Sequence, residues 1–309
     1  MIKKAMREAY GLKLVELGQK NQTIVVLDAD LSGSTKTNLF QKQFPDRHFN
    51  MGIAECNMLL FASGMSIAGK TVFASSFAMF AAGRAWEIVR NTIAHDKLNV
   101  KIVATHAGIS VGEDGGSHQA NEDIAIMRAI PNMRVLCPAD AYETGQIIEY
   151  ASETEGPFYI RLTRDSSPVF LEERKTVFNP EKALVLEEGK EICIISTGLM
   201  TYTALMVQEL LKSKNIFASV IHLSSIKPLD EKTLLQSVQK AKLVVVCEEH
   251  SIIGGLGSAV AECLSEKSPK KITRIGIPDV FGQSGKSDEL FDYYGININK
   301  IVEKIEKIF

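Results

Sequence analysis

Short apolar runs alternate with amphipathic stretches along the whole 309-residue chain. Strands that cross over through helices produce that alternation, so a parallel α/β architecture is expected. After a first helix, strands are expected at Thr23–Asp28, Arg47–Met51, Lys70–Ala74, Val100–Thr105, Met133–Cys137 and Phe158–Leu162. Helical patterns separate most of them, including Ala82–Asp96 and Ala141–Glu153. The stretch Asp165–Pro180 then loses its period, carries two prolines and several charges, and reads as an interdomain linker. A second alternation follows, with strands near Glu191–Thr197, Phe217–Leu223, Leu243–Glu249 and Ile272–Ile277. Its helices are expected at Met200–Lys212, Glu231–Lys240 and Ser258–Glu266, and the final segment puts Ile298, Ile301, Val302, Ile305 and Ile308 on one helical face. The expected fold class is α/β with two domains, each a mainly parallel sheet flanked by helices: residues 1–170, a linker at 171–185, and residues 186–309.

Composition fits two globular domains, each large enough for its own core, with 45% hydrophobic and 23% charged residues. A net charge of −2 gives no electrostatic case for nucleic acid or an anionic membrane surface. Met1 to Gly18 alternates charge with apolar residues and has no unbroken apolar core, unlike a signal peptide. No stretch reaches the roughly twenty apolar residues of a membrane span. The five cysteines, Cys56, Cys137, Cys193, Cys247 and Cys263, are scattered and form no Cys-x-x-Cys pair. Disulfide frameworks and zinc sites are therefore disfavoured, and reduced thiols in a cytoplasm are expected.

In open parallel sheets, ligands bind beyond the carboxyl ends of the strands. Asp28 and Asp30, Glu55, Phe77, His106, Pro138-Ala139-Asp140 and Arg164 all fall just past expected strand ends. Glu55 keeps apolar company in Ile53, Ala54, Met58, Leu59 and Leu60. Such flanks suggest desolvation, which raises a carboxyl pKa and suits it to proton exchange near neutrality. A helix-start carboxylate with no catalytic duty would look the same. Phe77 and Phe80 are either ordinary core or an aromatic wall for a flat heterocycle. His106 and His118 lie near the two ends of a glycine-rich loop carrying Glu113 and Asp114, which favours a polar-ligand pocket. No residues match a metal-ligand spacing, so no metal ligand is assigned to this chain. Gly254-Gly255-Leu256-Gly257 fails the G-x-G-x-x-G pattern at Val260, and close helix–sheet packing is the better reading. Glu248-Glu249-His250 reads as a polar strand end or an interface.

Taken together these motifs resemble the C-terminal portion of transketolase, over essentially the whole chain. Met51–Met58 resembles the segment holding that family's catalytic glutamate, and Thr105-His106 with Gly112–Gln119 resembles its Thr-His…Gly-Glu-Asp-Gly-x-x-His-Gln loop. Cys247–Gly257 followed by Phe281-Gly282 resembles its C-terminal domain. The resemblance implies a pyrimidine-binding domain followed by that C-terminal domain. It implies thiamine diphosphate as cofactor, with Glu55 contacting N1′ of the aminopyrimidine and promoting the tautomer that deprotonates the thiazolium carbon. Phe77, Phe80 and Asp30 would line the cofactor. His118 and His106 would serve catalysis, His118 by hydrogen-bonding the two-carbon unit, and Asp114 would read a sugar hydroxyl. Arg7, Ser34, His106 and Arg164 would hold the terminal phosphate of sugar phosphates, a task that suits arginine's permanent charge and planar fork. Gly83 departs from the pattern where the family often has a tyrosine, and Cys56 replaces a more usual polar residue.

The largest departure is an absence. The family binds diphosphate and a divalent metal through Gly-Asp-Gly and a later asparagine, and this sequence has no Gly-Asp-Gly. The chain also begins where a pyrimidine domain would begin. A second polypeptide, an N-terminal diphosphate-binding subunit, is therefore expected to hold Mg2+ or Ca2+ and complete the site. The expected assembly is a homodimer core within an α2β2 heterotetramer, with neither nucleic acid nor membrane as partner. The rival readings are the β subunit of a 2-oxoacid dehydrogenase, a piece of deoxyxylulose-phosphate synthase, and a non-catalytic regulatory homologue. The synthase usually carries an Asp-Arg pair where this chain has Thr105-His106, and the dehydrogenase subunits lack the His106-to-His118 loop as a unit.

Overall fold

The structure is a computed structural model that describes residues 2–309. Its first half contains strands β1 (Lys3–Ala5), β2 (Ile24–Asp28), β3 (His48–Asn50), β4 (Thr71–Phe77), β5 (Val100–Thr105), β6 (Arg134–Leu136), β7 (Phe158–Arg161) and β8 (Ser166–Pro168). The second half adds β9 (Leu184–Glu187), β10 (Ile192–Ser196), β11 (Ala218–His222), β12 (Ser225–Lys227), β13 (Leu243–Ser251) and β14 (Ile272–Ile277). Two sheets result, in the orders β12-β6-β7-β5-β4-β2-β3 and β14-β13-β10-β11-β9, and β1 pairs separately with β8. All pairings in the first sheet are parallel except that of β12, and all in the second except that of β9. The fold is therefore α/β with two mainly parallel sheets, as expected.

Strands buried on both faces read as continuous apolar runs. Every residue of β2, β4 and β5 is buried. One face of the first sheet packs Val25, Leu27, Val72, Ala74 and Ile102 against Met58, Leu59 and Ala62 of the helix Glu55–Ile67. The other packs Val26, Phe73 and Val103 against Met6, Tyr10 and Leu14 of the helix Met6–Lys20. Lys101 is the charged exception inside β5, fully buried, with its ammonium donating to the carbonyls of Thr154 at 2.6 Å and Gly156 at 2.7 Å.

Several expectations need correction. The helix expected at Ala82–Asp96 is instead a π-helical turn at Met79–Arg84, a short α segment at Trp86–Ile88 and a second π-helical turn at Val89–Ala94. The stretch read as linker begins as β8, and Val169, Phe170 and Leu171 behind it are buried. The Asp140 carboxylate fixes them by accepting from the Phe170 and Leu171 amides, each at 2.9 Å. Strand β9 crosses the expected boundary at residue 185.

The halves are tied by more than one connection. Strand β12 leaves the second half to pair antiparallel with β6 of the first. Glu143, in the helix Ala141–Glu153, meets His222 Nε2 at 2.8 Å, both fully buried. Arg161 donates to the carbonyl of Glu249 at 2.9 Å, and the Glu249 carboxylate accepts from the Ser110 amide at 2.6 Å. The glycine run at 254–257 packs rather than cradles: Glu248 already accepts from the Leu256 and Gly257 amides at 2.6 and 2.8 Å. All five cysteines are free thiols. Among the described residues no helix is long and apolar enough to cross a membrane.

Candidate active site

Register aligns the carboxyl edge of the first sheet, with Asp28 level with Asn50 and Ser75, and Phe77 level with Thr105. The helix Glu55–Ile67 starts just beyond β3, so Glu55 occupies its first turn, where free amides favour a negative charge. Glu55 is 1% exposed, and its Oε2 accepts a hydrogen bond from Arg84 Nη1 at 3.0 Å.

Beside it the end of β4 and the turn that follows present two phenylalanines. The Phe77 and Phe80 rings are stacked with centroids 6.3 Å apart and planes at 16°. The His106 ring lies on Phe77 at 3.8 Å and 22°, and His118 meets Phe80 edge-on at 5.3 Å. His106 reaches that position with φ of 56°, a left-handed conformation that costs a non-glycine residue energy and marks a held geometry. Burial, with help from Arg7, Arg164 and His118, pushes the His106 imidazole down to about 3. It is therefore neutral at ordinary pH, with Nδ1 2.9 Å from the Thr105 hydroxyl. A side chain at Gly83 would meet nothing closer than Met79 Cε at 3.7 Å, so the aromatic wall is open there. Ser76 Oγ, next to Phe77, is buried without a hydrogen-bond partner among the described residues.

On the other side of His106 two guanidinium groups converge. Arg7, at the start of the first helix, donates from Nε to the Arg164 carbonyl at 3.1 Å and from Nη1 to the Ser34 carbonyl at 2.8 Å. Arg164 donates from Nη1 to the Val111 carbonyl. Burial and the neighbouring Arg164 charge lower the Arg7 pKa. Asp165 and Glu8 act on Arg7 from a distance, but among the described residues neither arginine forms a salt bridge to a carboxylate, so both guanidinium groups can still receive an oxyanion.

The loop between the histidines is clamped from the second half of the chain. Gln119 donates to the Gln283 carbonyl at 2.9 Å, and the Ser284 hydroxyl donates to the Glu113 carbonyl at 2.7 Å. Backbones approach so closely that a Cβ on Gly116 would lie 2.5 Å from the Gly282 carbonyl oxygen. His118 is left half-buried beside this clamp, with Nδ1 2.9 Å from Ser117 Oγ.

The structure thus gathers Glu55, Phe77, Phe80, His106 and His118 in one cluster and Arg7, Ser34 and Arg164 beside it. Two candidates stand apart. Asp30 is exposed, in a left-handed conformation, and exchanges hydrogen bonds with Asn50 at 3.0 and 3.1 Å rather than touching the aromatics. Its neighbour Asp28 is the buried one, accepting from Thr35 and Thr37 hydroxyls at 2.7 and 3.0 Å. Asp114 is exposed at the end of the 3-10 turn Ile109–Asp114. Sequence reading missed Arg84, whose approach to Glu55 depends on the π-helical turn. It also missed the buried Asp123–Arg161 pair, with N–O distances of 2.9 and 3.1 Å, which underlies the site together with the Tyr159 hydroxyl, 2.7 Å from Asp123.

Two family models match the chain: the transketolase pyrimidine binding domain over residues 2–169 and the transketolase C-terminal domain over residues 181–301. The chain is 53% identical over 304 residues to a protein of Methanocaldococcus jannaschii (strain ATCC 43067 / DSM 2661 / JAL-1 / JCM 10045 / NBRC 100440) assigned as a transketolase C-terminal section, covering 98% of this chain and 95% of that one. It is 38% identical over 303 residues to the 6-deoxy-6-sulfo-D-fructose transketolase subunit SqwH of Clostridium sp. (strain MSTE9), covering 98% and 94% respectively. Among solved structures, a split gene transketolase described as an inactive β4 tetramer superposes with a TM-score of 0.90 at 52% identity, covering 98% of this chain and 97% of that one.

Proposed function

Because the chain belongs to the transketolase family, carrying its pyrimidine-binding and C-terminal domains, we propose that it is the C-terminal subunit of a split, thiamine-diphosphate-dependent transketolase. It would move a two-carbon ketol unit from a ketose phosphate to an aldose phosphate. The single observation that carries this reading is the juxtaposition of the buried Glu55 carboxylate, the Phe77–Phe80 wall and the two histidines with the Arg7–Arg164 pair. The residues present fit the aminopyrimidine end of the cofactor: a buried carboxylate, two aromatic faces, open space at Gly83 and an orphaned hydroxyl at Ser76.

When bound, thiamine diphosphate supplies the carbon that carries the two-carbon unit as a carbanion equivalent. The chain's own residues set the stage for that chemistry. Glu55 would hold at its carboxylate the proton exchanged with the pyrimidine ring, in a pocket that burial keeps dry. His106, neutral because of its burial and its cationic neighbours, hydrogen-bonds without adding charge to the site. His118 donates to the hydroxyls of the transferred unit, Asp114 reads a sugar hydroxyl from its exposed place on the same loop, and Asp30 would line the cofactor from its exposed position beside Asn50. Arg7, Arg164, Ser34 and His106 anchor the anionic tail. A sulfonate would meet the same guanidinium pair, and the sulfofructose relative makes that tail a second candidate substrate class.

The diphosphate and its divalent metal would be held by an N-terminal partner subunit, since the sequence has no Gly-Asp-Gly. Support comes from the split gene transketolase whose β4 tetramer is described as inactive. An apolar stripe on the helix that begins with Glu55 supports self-association: Leu60, Phe61 and Ile67, with Ile53 just ahead, are 50, 38, 75 and 77% exposed. We assign this face to a homodimer core within an α2β2 assembly. The test is a ketol-transfer assay of the chain with thiamine diphosphate and Mg2+, alone and mixed with an N-terminal transketolase section from the same source. Turnover is expected only in the mixture, and full turnover by the chain alone would overturn the split-site reading.

A further inference from the structure

Glu55 is almost sealed from solvent, and a buried carboxylate without a counter-charge is strongly disfavoured. Arg84 provides that counter-charge from outside: its side chain is 53% exposed while that of Glu55 is 2% exposed. Three contacts hold residue 84 in place. Its Nη1 donates to Glu55 Oε2 at 3.0 Å, its guanidinium carbon lies 5.4 Å from the Phe80 ring centroid, and its carbonyl accepts from the Cys56 thiol at 3.6 Å. Glu55 and Cys56 thus grip the side chain and the backbone of the same residue. A π-helical turn is wider than an α turn. Residue 84 closes the turn Met79–Arg84, and this places its guanidinium over Phe80 and against Glu55 at once.

Only one carboxylate oxygen is engaged. Glu55 Oε1 accepts no hydrogen bond from the described residues, so Arg84 fixes the plane of the carboxylate and leaves the other oxygen for a ligand. From this arrangement we infer that Arg84 is the positioning residue for Glu55. It clamps Oε2 so that Oε1 is presented to the aminopyrimidine, and it stays in place when the cofactor binds. The inference rests on the reading of Glu55 as the cofactor's proton partner. An ordinary surface ion pair would do neither, because both of its members would be solvated and free to part.

The test is a double-mutant cycle in the complex reconstituted with the N-terminal section, using Arg84→Met, Arg84→Lys, Glu55→Gln and the combination Arg84→Met with Glu55→Gln. Two quantities are read: the affinity for thiamine diphosphate with Mg2+ by calorimetry, and kcat against KM for the sugars. Misplacing a reacting group by about 1 Å can cost on the order of a hundredfold. Arg84→Met is therefore expected to lower kcat by about tenfold or more and to weaken cofactor binding, with the sugar KM changed less than about twofold. Arg84→Lys keeps the charge without the planar fork and should recover part of both losses. In the Glu55→Gln background the further change from Arg84→Met should be less than about twofold, because the group it positions is gone. Equal losses in both backgrounds, or no recovery by lysine, overturn the positioning role while leaving Glu55 in place. Wild-type turnover and cofactor affinity in Glu55→Gln would instead overturn the reading of Glu55 itself. Co-purification and Tm of each variant separate these outcomes from a failure to assemble.

Discussion

Glu55 is the residue on which the proposed chemistry turns, and its environment makes a clean substitution feasible. Arg84, left without its partner, is half-exposed and can be solvated, so Glu55→Ala should fold and assemble. General acid–base groups contribute about 10²–10⁴-fold, and turnover should fall by that order while Tm stays near wild type. A ketol-transfer assay on the reconstituted complex checks this, and near-normal rates would reject the proton role. Arg164 tests the opposite end of the pocket. A hydrogen bond to a charged group is worth about 1.5–3 kcal/mol, so Arg164→Ala should raise KM for phosphorylated sugars by roughly ten- to a hundredfold. Unphosphorylated analogues should be affected far less, and an equal penalty on both would remove the anion assignment. At this scale the sequence was informative because Glu55, Phe77, Phe80, His106, His118 and Arg164 stand in recognisable local motifs. Arg84 was invisible, since an arginine on a helical pattern reads as solvated surface until the turn that aims it is known.

Long apolar runs made most strands and helices legible, because burial on both faces leaves a pattern that nearby residues alone determine. Elements of three residues, such as β1, β8 and β12, carry no such pattern and exist only through distant partners. The π-helical turns escaped for a related reason: Met79-Phe80-Ala81-Ala82-Gly83-Arg84 satisfies a helical pattern whether the turn closes at four residues or five. The clamp on the histidine loop is likewise a property of paired elements. A Cβ on Gly282 would lie 1.8 Å from Gln119 Oε1, and Gln119 is buried with its amide already held by the Gly112 and Gln283 carbonyls. Gly282→Ala should therefore push the second-half loop off the first, at about 1–3 kcal/mol of overpacking cost. The expected signs are a lower Tm and a raised sugar KM; an unchanged KM with a lowered Tm would show that the clamp supports the fold without shaping the pocket.

At the scale of the molecule, the seam between the halves is charged and dry. Burial lifts the Glu249 carboxyl to about 7, with Arg161 pulling the other way. The unfolded carboxyl has a value of 4.5, so the folded state binds the extra proton between the two. Stability from this group is complete below about 4.5 and is lost as pH rises through about 7. Glu249→Gln cannot titrate, so its stability should gain on wild type from about pH 4.5 to pH 7, at up to about 1.4 kcal/mol per pH unit, and the gain should level off above pH 7. Parallel Tm curves for the two proteins would show that Glu249 does not titrate in that window. The two-domain plan was legible from the repeated alternation of strands and helices. The seam was not, because Glu143 and His222, or Arg161 and Glu249, are polar residues far apart in sequence whose pairing nothing local announces.

Strand β12 gives this seam a further meaning. Because a segment of the later half completes the edge of the earlier sheet, severing the polypeptide between them would uncover the outer edge of β6 at Val135 and Leu136. An uncovered border of that kind recruits foreign chains and aggregates. The two halves are thus interlocked pieces, and the earlier one expressed by itself should come out insoluble.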